Sequence, residues 1–165
     1  MIAPPDAFPG PSHDSDAPRV EFATPADLPA MADLLAELFT LECDFVPERA
    51  KQLAGLAMIL ESPELGRLFV LRRSRRVVGM ANALITVSTA EGGRVLLLED
   101  VIVASTYRGQ GAGRYLVERV LAWAAGQGLT RVTLLADRAN APALAFYARL
   151  GFAPSAMGVL RKPLA

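Results

Sequence analysis

The stretch LLLEDVIVASTYRGQGAGRYLVERVLAWAAG (96–126) constrains the fold more than any other part of the chain. A strand-like apolar run enters a loop with glycines at 109, 111 and 113 and leaves it as a helix. Leu116, Val117, Val120, Leu121 and Ala124 recur at helical spacing over 112–126. A further strand-like run, TRVTLLA (130–136), follows that helix. Strands joined through a helix in one sheet run parallel, so 96–103 and 130–136 are expected as a parallel crossover pair.

The neighbouring segments extend this unit. Residues 65–103 read as three strands joined by the short turns RSRR and EGG, which makes them antiparallel. RVEFA (19–23) reads as a first strand. TPADLPAMADLLAELFTLE (24–42) reads as an amphipathic helix with Thr24 as its cap and Pro25 in the first turn. VPERAKQLAGLAMILES (46–62) is expected as a second helix, stopped near Pro63, and NAPALAFYARLG (140–151) as a short one capped by Asn140. FAPSAMGVLRKPL (152–164) is expected to add one or two closing strands, and Trp123 and Met157 to pack. This order predicts an α/β (α+β) architecture: a central, mostly antiparallel sheet with one parallel pair and helices on both faces.

Composition narrows the function classes. Lys plus Arg and Asp plus Glu number 17 each, so the chain is no polycation and nucleic acid is not expected as a partner. The RRSRR turn (72–76) has no interleaved aromatics for base stacking and reads as a solvated edge. Cys43 and His13 are single, which argues against an internal disulfide, a Ser–His or Cys–His machine and a His-rich metal centre. No metal is expected. No apolar run reaches the ~18 residues of a membrane span, and the N-terminus lacks signal-peptide character, so a cytoplasmic protein is expected. Residues 1–18, with five prolines, are expected as a disordered or loosely docked leader before a single domain at 19–165.

A helix N-terminus offers unpaired N–H groups and about half a positive charge, a seat for phosphate. Glycines let a loop bring its amides close to a ligand, and Arg108 and Arg114 add charge-assisted contacts. The plainer alternative is a turn that needs glycine for its bend. The Walker A and dinucleotide fingerprints both fail here: no lysine follows the glycines, and position 114 is Arg.

Arg108, Gly111 and Gly113 match Arg/Gln-x-x-Gly-x-Gly/Ala, and Asn140, Ala143, Phe146, Tyr147, Gly151 and Phe152 match Asn-x-x-Ala-x-x-Phe-Tyr-x-x-x-Gly-Phe. The two lie ~27 residues apart, the span of an ordinary helix and strand. With them the chain resembles the GNAT superfamily of acetyl-CoA-dependent N-acetyltransferases over about residues 95–152. The resemblance implies the GNAT fold, with the parallel strands splayed. It implies that amides of Gly109, Gln110, Gly111, Ala112, Gly113 and Arg114 cradle the coenzyme A pyrophosphate, while the backbone of Val101, Ile102 and Val103 pairs with the pantetheine arm. Asn140, Ala143, Phe146 and Tyr147 would complete the cofactor site. VASTYRG departs from the family by lacking a proline between strand and arginine.

Transfer to an amine poses two proton problems: the ammonium must lose a proton and the departing thiolate must gain one. Tyr147 is the expected acid, facing the cleft about 100° round the helix from Phe146; ordinary packing is its alternative. Glu99 is the expected base, directly or through water, and looks like the glutamate in the Leu-Glu-Asp strand of diamine acetyltransferases. Its alternative is a strand-end carboxylate facing solvent or paired with Arg. Asp100 should face the opposite way by alternation, unless a bulge reverses it. The link between the first helices holds Glu42, Asp44 and Phe45, which with Asp100 are the expected contacts to a cationic acceptor. Ser88, Thr89 and Glu91 are expected as a further wall, and the arginine turn as a helper for the 3′-phosphate.

The expectation is therefore an N-acetyltransferase moving acetyl from acetyl-CoA directly to a primary amine, of a small molecule, with homodimerisation through the closing strands implied by the resemblance. Two rivals stand beside it: a non-catalytic acyl-CoA-binding or sensing module, and an acetyltransferase acting on protein lysines or N-termini.

Overall fold

The computed structural model describes residues 17–41 and 46–164. Glu42, Asp44 and Phe45, with His13 and Cys43, lie outside the described residues. The chain forms two compact units that divide after Leu135.

In the first unit β1 (Arg19–Phe22) leads through a short turn of 3-10 helix (Pro25–Asp27) into α1 (Leu28–Leu41), followed by α2 (Arg49–Glu61). Then come β2 (Gly66–Arg73), β3 (Arg76–Ser88), β4 (Gly93–Val103), α3 (Ala112–Gly126) and β5 (Val132–Leu134). The strands lie in the order β1-β2-β3-β4-β5. The first three pairings are antiparallel and β4–β5 is parallel, as the hairpin turns and the intervening helix dictate.

Period-2 alternation gives the sheet two apolar faces. On one, Leu68, Val70, Met80 and Ile102 form a core with Met31, Leu34 and Leu35 of α1 and Leu56 of α2. On the other, Phe69 meets Trp123 of α3 edge-on, with ring centroids 5.3 Å apart, and Phe22 lies 5.2 Å from Phe69. Leu96, Leu98, Leu116, Val117 and Val120 are buried almost completely. Helices thus cover both faces, and Trp123 packs as expected.

The turn before α1 is locked by a charge. Asp27 Oδ2 accepts from the Thr24 amide at 2.8 Å, the Thr24 hydroxyl at 2.9 Å and Arg72 Nη2 at 2.7 Å. Arg72 Nε also donates to Glu21 at 2.9 Å, so one guanidinium ties β1, the helix start and β2 together.

The second unit holds α4 (Ala141–Arg149). The expected closing strands are absent: 152–164 contain no strand among the described residues. Pro154 and Pro163 lack an amide donor and Gly158 offers no side chain to a ladder, which removes much of the reason for pairing. Met157, expected to pack, is 85% exposed.

Candidate functional site

β4 is the element on which the site is built. Its pairing with β5 covers only Leu96–Leu98, opposite Val132–Leu134. β4 nevertheless runs on to Val103, held on its other edge by β3. Among the described residues no strand pairs with Glu99–Val103 on the β5 side, an arrangement suited to an extended guest. The resemblance implied a splayed pair; here β5 ends at Leu134 while β4 continues.

A bulge interrupts β4 at the same place. Met80 pairs with Ile102 and Asn82 with Glu99, so a single residue of β3, Ala81, stands opposite Asp100 and Val101. Asp100 has φ +51, the left-handed conformation that glycine usually supplies at such a bulge. Cross-strand partners share a face, which puts Glu99 beside Asn82 on the α1/α2 side. Asp100 accepts a short hydrogen bond from Asn82 Nδ2, so its carboxylate lies with that same amide. Strict alternation would have sent Asp100 to the other face; the bulge reverses it.

Glu99 is half-buried, and among the described residues it forms no ion pair. Asn82, by contrast, is 4% exposed in an otherwise apolar strand interior. The sequence reading passed over Asn82. Its signal was a lone polar residue inside GMANALI, in phase with the buried Met80.

Gly79 holds the end of β4 close. A Cβ there would come 2.9 Å from the Ile102 carbonyl oxygen and 3.2 Å from Val103 Cγ2. Gly79→Ala should therefore push β4 outward, cost about 1–3 kcal/mol as overpacking does, and weaken binding of any guest strand on Val101–Val103. Thermal unfolding and calorimetry with acetyl-CoA check this.

Beyond β4, the loop enters α3 at Gly111, whose carbonyl accepts from Tyr115 N at 3.0 Å. The first amides of the helix, Ala112, Gly113 and Arg114, have no intrahelical acceptor. Gly109 and Gly111 adopt φ +74 and +81, which other residues take only under strain. A Cβ at either would meet nothing within 4 Å, so the surrounding chain does not crowd them. Gly113 lies inside the helix with no positive φ, and its conformation does not call for glycine.

The loop side chains are committed elsewhere. Arg108 Nε donates to the Val103 carbonyl at 2.7 Å and its Nη2 to Glu37 of α1 at 2.6 Å. Arg114 pairs with Glu118 one turn on, at 2.7 Å. Gln110 accepts from Arg73 of the β2–β3 turn at 3.1 Å, and that guanidinium lies 5.8 Å from the Tyr107 ring centroid. The arginine turn thus reaches the glycine loop, as antiparallel geometry required. Ser88, Thr89 and Glu91 lie at the far end of β3–β4, six residue pairs and about 20 Å from the bulge. Glu91 is engaged by Arg131 there, so this turn does not meet Glu99.

In the second unit, Asn140 caps α4 by accepting from Ala143 N at 3.1 Å. Tyr147 lies between Phe146 and Phe152, with centroid distances of 5.0 and 5.7 Å, both edge-on. The signature residues therefore build one short, aromatic-braced helix.

Comparison with known proteins matches the acetyltransferase (GNAT) family over residues 28–152. The glucosamine 6-phosphate N-acetyltransferase of Trypanosoma brucei brucei is 30% identical over 77% of this chain and 83% of that enzyme. Other curated relatives match over shorter stretches, and the chain spans less than two fifths of their length. Among solved structures, a possible acetyltransferase from Clostridium difficile 630 superposes with TM-score 0.81 at 18% identity, over 90% of this chain and 98% of that one. A predicted acetyltransferase of Clostridium acetobutylicum, solved with acetyl-CoA, gives TM-score 0.73 at 14% identity over 88% of this chain and 96% of that one. These two share the fold. Among the described residues no helix is long and apolar enough to cross a membrane. The parallel pair whose β4 outruns β5, the glycine-opened helix mouth and a family match over most of its length lead to one conclusion: the chain belongs to the GNAT family of acetyltransferases and is an enzyme of acetyl transfer.

Proposed function

We propose that this enzyme transfers acetyl from acetyl-CoA to a primary amine of a small molecule. The observation that carries the reading is the five-residue extension of β4 past the end of β5, with a polar bulge on one side and the α3 helix mouth just beyond. These residues fit the coenzyme in kind. Unpaired amides at Gly109–Arg114 suit a diphosphate, and the edge of Val101–Val103, apart from the Val103 carbonyl held by Arg108, suits the amide-bearing pantetheine arm. Acetyl-CoA supplies the activated acyl group as a thioester.

The protein's own residues handle the protons. Glu99 takes one from the acceptor ammonium, directly or through a water, and frees the nitrogen lone pair to attack. A backbone N–H at Val101–Ile102 supports the carbonyl oxygen as it gains charge. Tyr147, assigned from its motif, gives a proton to the departing thiolate. Support for a small acceptor comes from the relative that acts on glucosamine 6-phosphate. Calorimetry with acetyl-CoA, followed by a thiol-release screen over amines, polyamines, amino acids and peptides, tests the reading. Binding plus release that depends on a small amine is the expected result. Binding without release favours a sensing module, and release with peptides alone a protein-modifying enzyme; either overturns the reading.

A further inference from the structure

Two unfavourable features meet at the β4 bulge. The first is Asn82, 4% exposed, whose amide bonds Asp100 through Nδ2 while its Oδ1 has no hydrogen-bond partner. The direction of that amide follows from chemistry: an ionised carboxylate only accepts, so the nitrogen must face Asp100 and the oxygen is the orphan. A buried unsatisfied acceptor costs about 1–3 kcal/mol. The second is Asp100 itself, at φ +51 where glycine would sit without strain. Neither feature helps the fold, and both fall where β4 has lost its β5 partner. Strain and unmet polarity concentrated in this way point to a ligand.

The atoms also indicate its kind. Asn82 Oδ1, the Asp100 carboxylate and the Glu99 carboxylate, on the strand position paired with Asn82, are all acceptors. A group meeting them must bring several donors and a positive charge; an anion or a carbonyl oxygen would be repelled. A primary ammonium, with three N–H donors and no acceptor, matches. We propose that Asn82 is a substrate-binding residue: its Oδ1 accepts an N–H of the acceptor ammonium while its Nδ2 holds the Asp100 carboxylate against the same charge. This inference rests on amine acetylation as the reaction and adds the specificity-determining contact.

The test uses full-length protein, acetyl-CoA and three probes: 1,4-diaminobutane, glucosamine 6-phosphate and a lysine peptide. Asn82→Leu removes the orphan acceptor, and Asp100→Gly removes the carboxylate while relieving the left-handed strain. Each variant should raise KM for the accepted amine at least about 10-fold, the factor that one lost charge-assisted hydrogen bond is worth. The acetyl-CoA Kd should stay within about twofold, a split that a merely structural role would not produce. An unmoved amine KM in a folded variant overturns the proposal and leaves Oδ1 a seat for buried water only. So does a parallel loss of coenzyme affinity. Should Asn82→Leu not fold, Asp100→Gly decides alone by the same criteria. Wild-type protein that binds acetyl-CoA but acetylates none of the probes sinks the amine reading and this inference together, whereas wild-type transfer with unmoved variant KM values sinks this inference alone.

Discussion

Glu99→Gln is expected to lower kcat for amine acetylation about 10²–10⁴-fold at neutral pH, the range general-base catalysis supplies. Glutamine keeps the size and polarity of the side chain on β4 but accepts no proton. Neither the register with Asn82 nor the free edge of Val101–Val103 depends on the carboxylate, so acetyl-CoA affinity should hold. The pH dependence gives the sharper check. An alkylamine has a pKa near ~10, so its free-base fraction in bulk water rises about tenfold per pH unit below that value. The variant's deficit should shrink as pH climbs, because solvent then does the work that Glu99 did. Tyr147→Phe should behave differently, since a leaving group that lacks its acid gains nothing from alkaline water. A deficit in Glu99→Gln that stays constant from about pH 7 to 9.5 would show the carboxylate to be a binding group and no base.

Much of the fold was legible because its signals are local. Apolar residues at helical spacing over 112–126, two short turns and a helix between two strand-like runs define α3, the antiparallel hairpins and the parallel pair without reference to distant residues. What escaped depends on partners far along the chain or on broken periodicity. The tail 152–164 has strand-like apolar residues, but a strand also needs an edge and donors, and its prolines and glycine supply neither. Asp100 could not be assigned a face from alternation, because one extra residue in β4 resets the phase. Arg108 was legible as a motif residue, yet its bond to Glu37, 71 positions away, is a fact of packing. Asn82 shows the limit in the other direction. A polar residue in an apolar strand could be flagged, but the carboxylate that meets it is 18 positions on and arrives only through the bulge.

Arg72→Met is expected to destabilise the fold by about 3 kcal/mol near neutral pH, the low end of what breaking a buried ion pair costs. For a chain of this size that is a fall in Tm of about 6–12 °C. The reason lies in Asp27, whose side chain is 6% exposed beside an Arg72 side chain that is 22% exposed. Burial pushes the Asp27 carboxyl up, but the Thr24 amide, the Arg72 guanidinium and the Thr24 hydroxyl together outweigh it and hold the group below its ordinary 3.8. A carboxyl lowered in this way stabilises the folded state fully above its unfolded pKa and loses that contribution as pH falls through the folded value. Without Arg72 the desolvation is opposed only by Thr24, and the carboxyl moves upward. The gap in Tm between wild type and variant should therefore be widest above the ordinary carboxylate range and narrow as pH falls below it, Asp27 taking up its proton first in the variant and then in the wild type. Thermal melts across that range decide the matter. A gap that persists unchanged into acid would assign the loss to the packing of the arginine stem between β1 and β2, with no part for the charge pair at the start of α1.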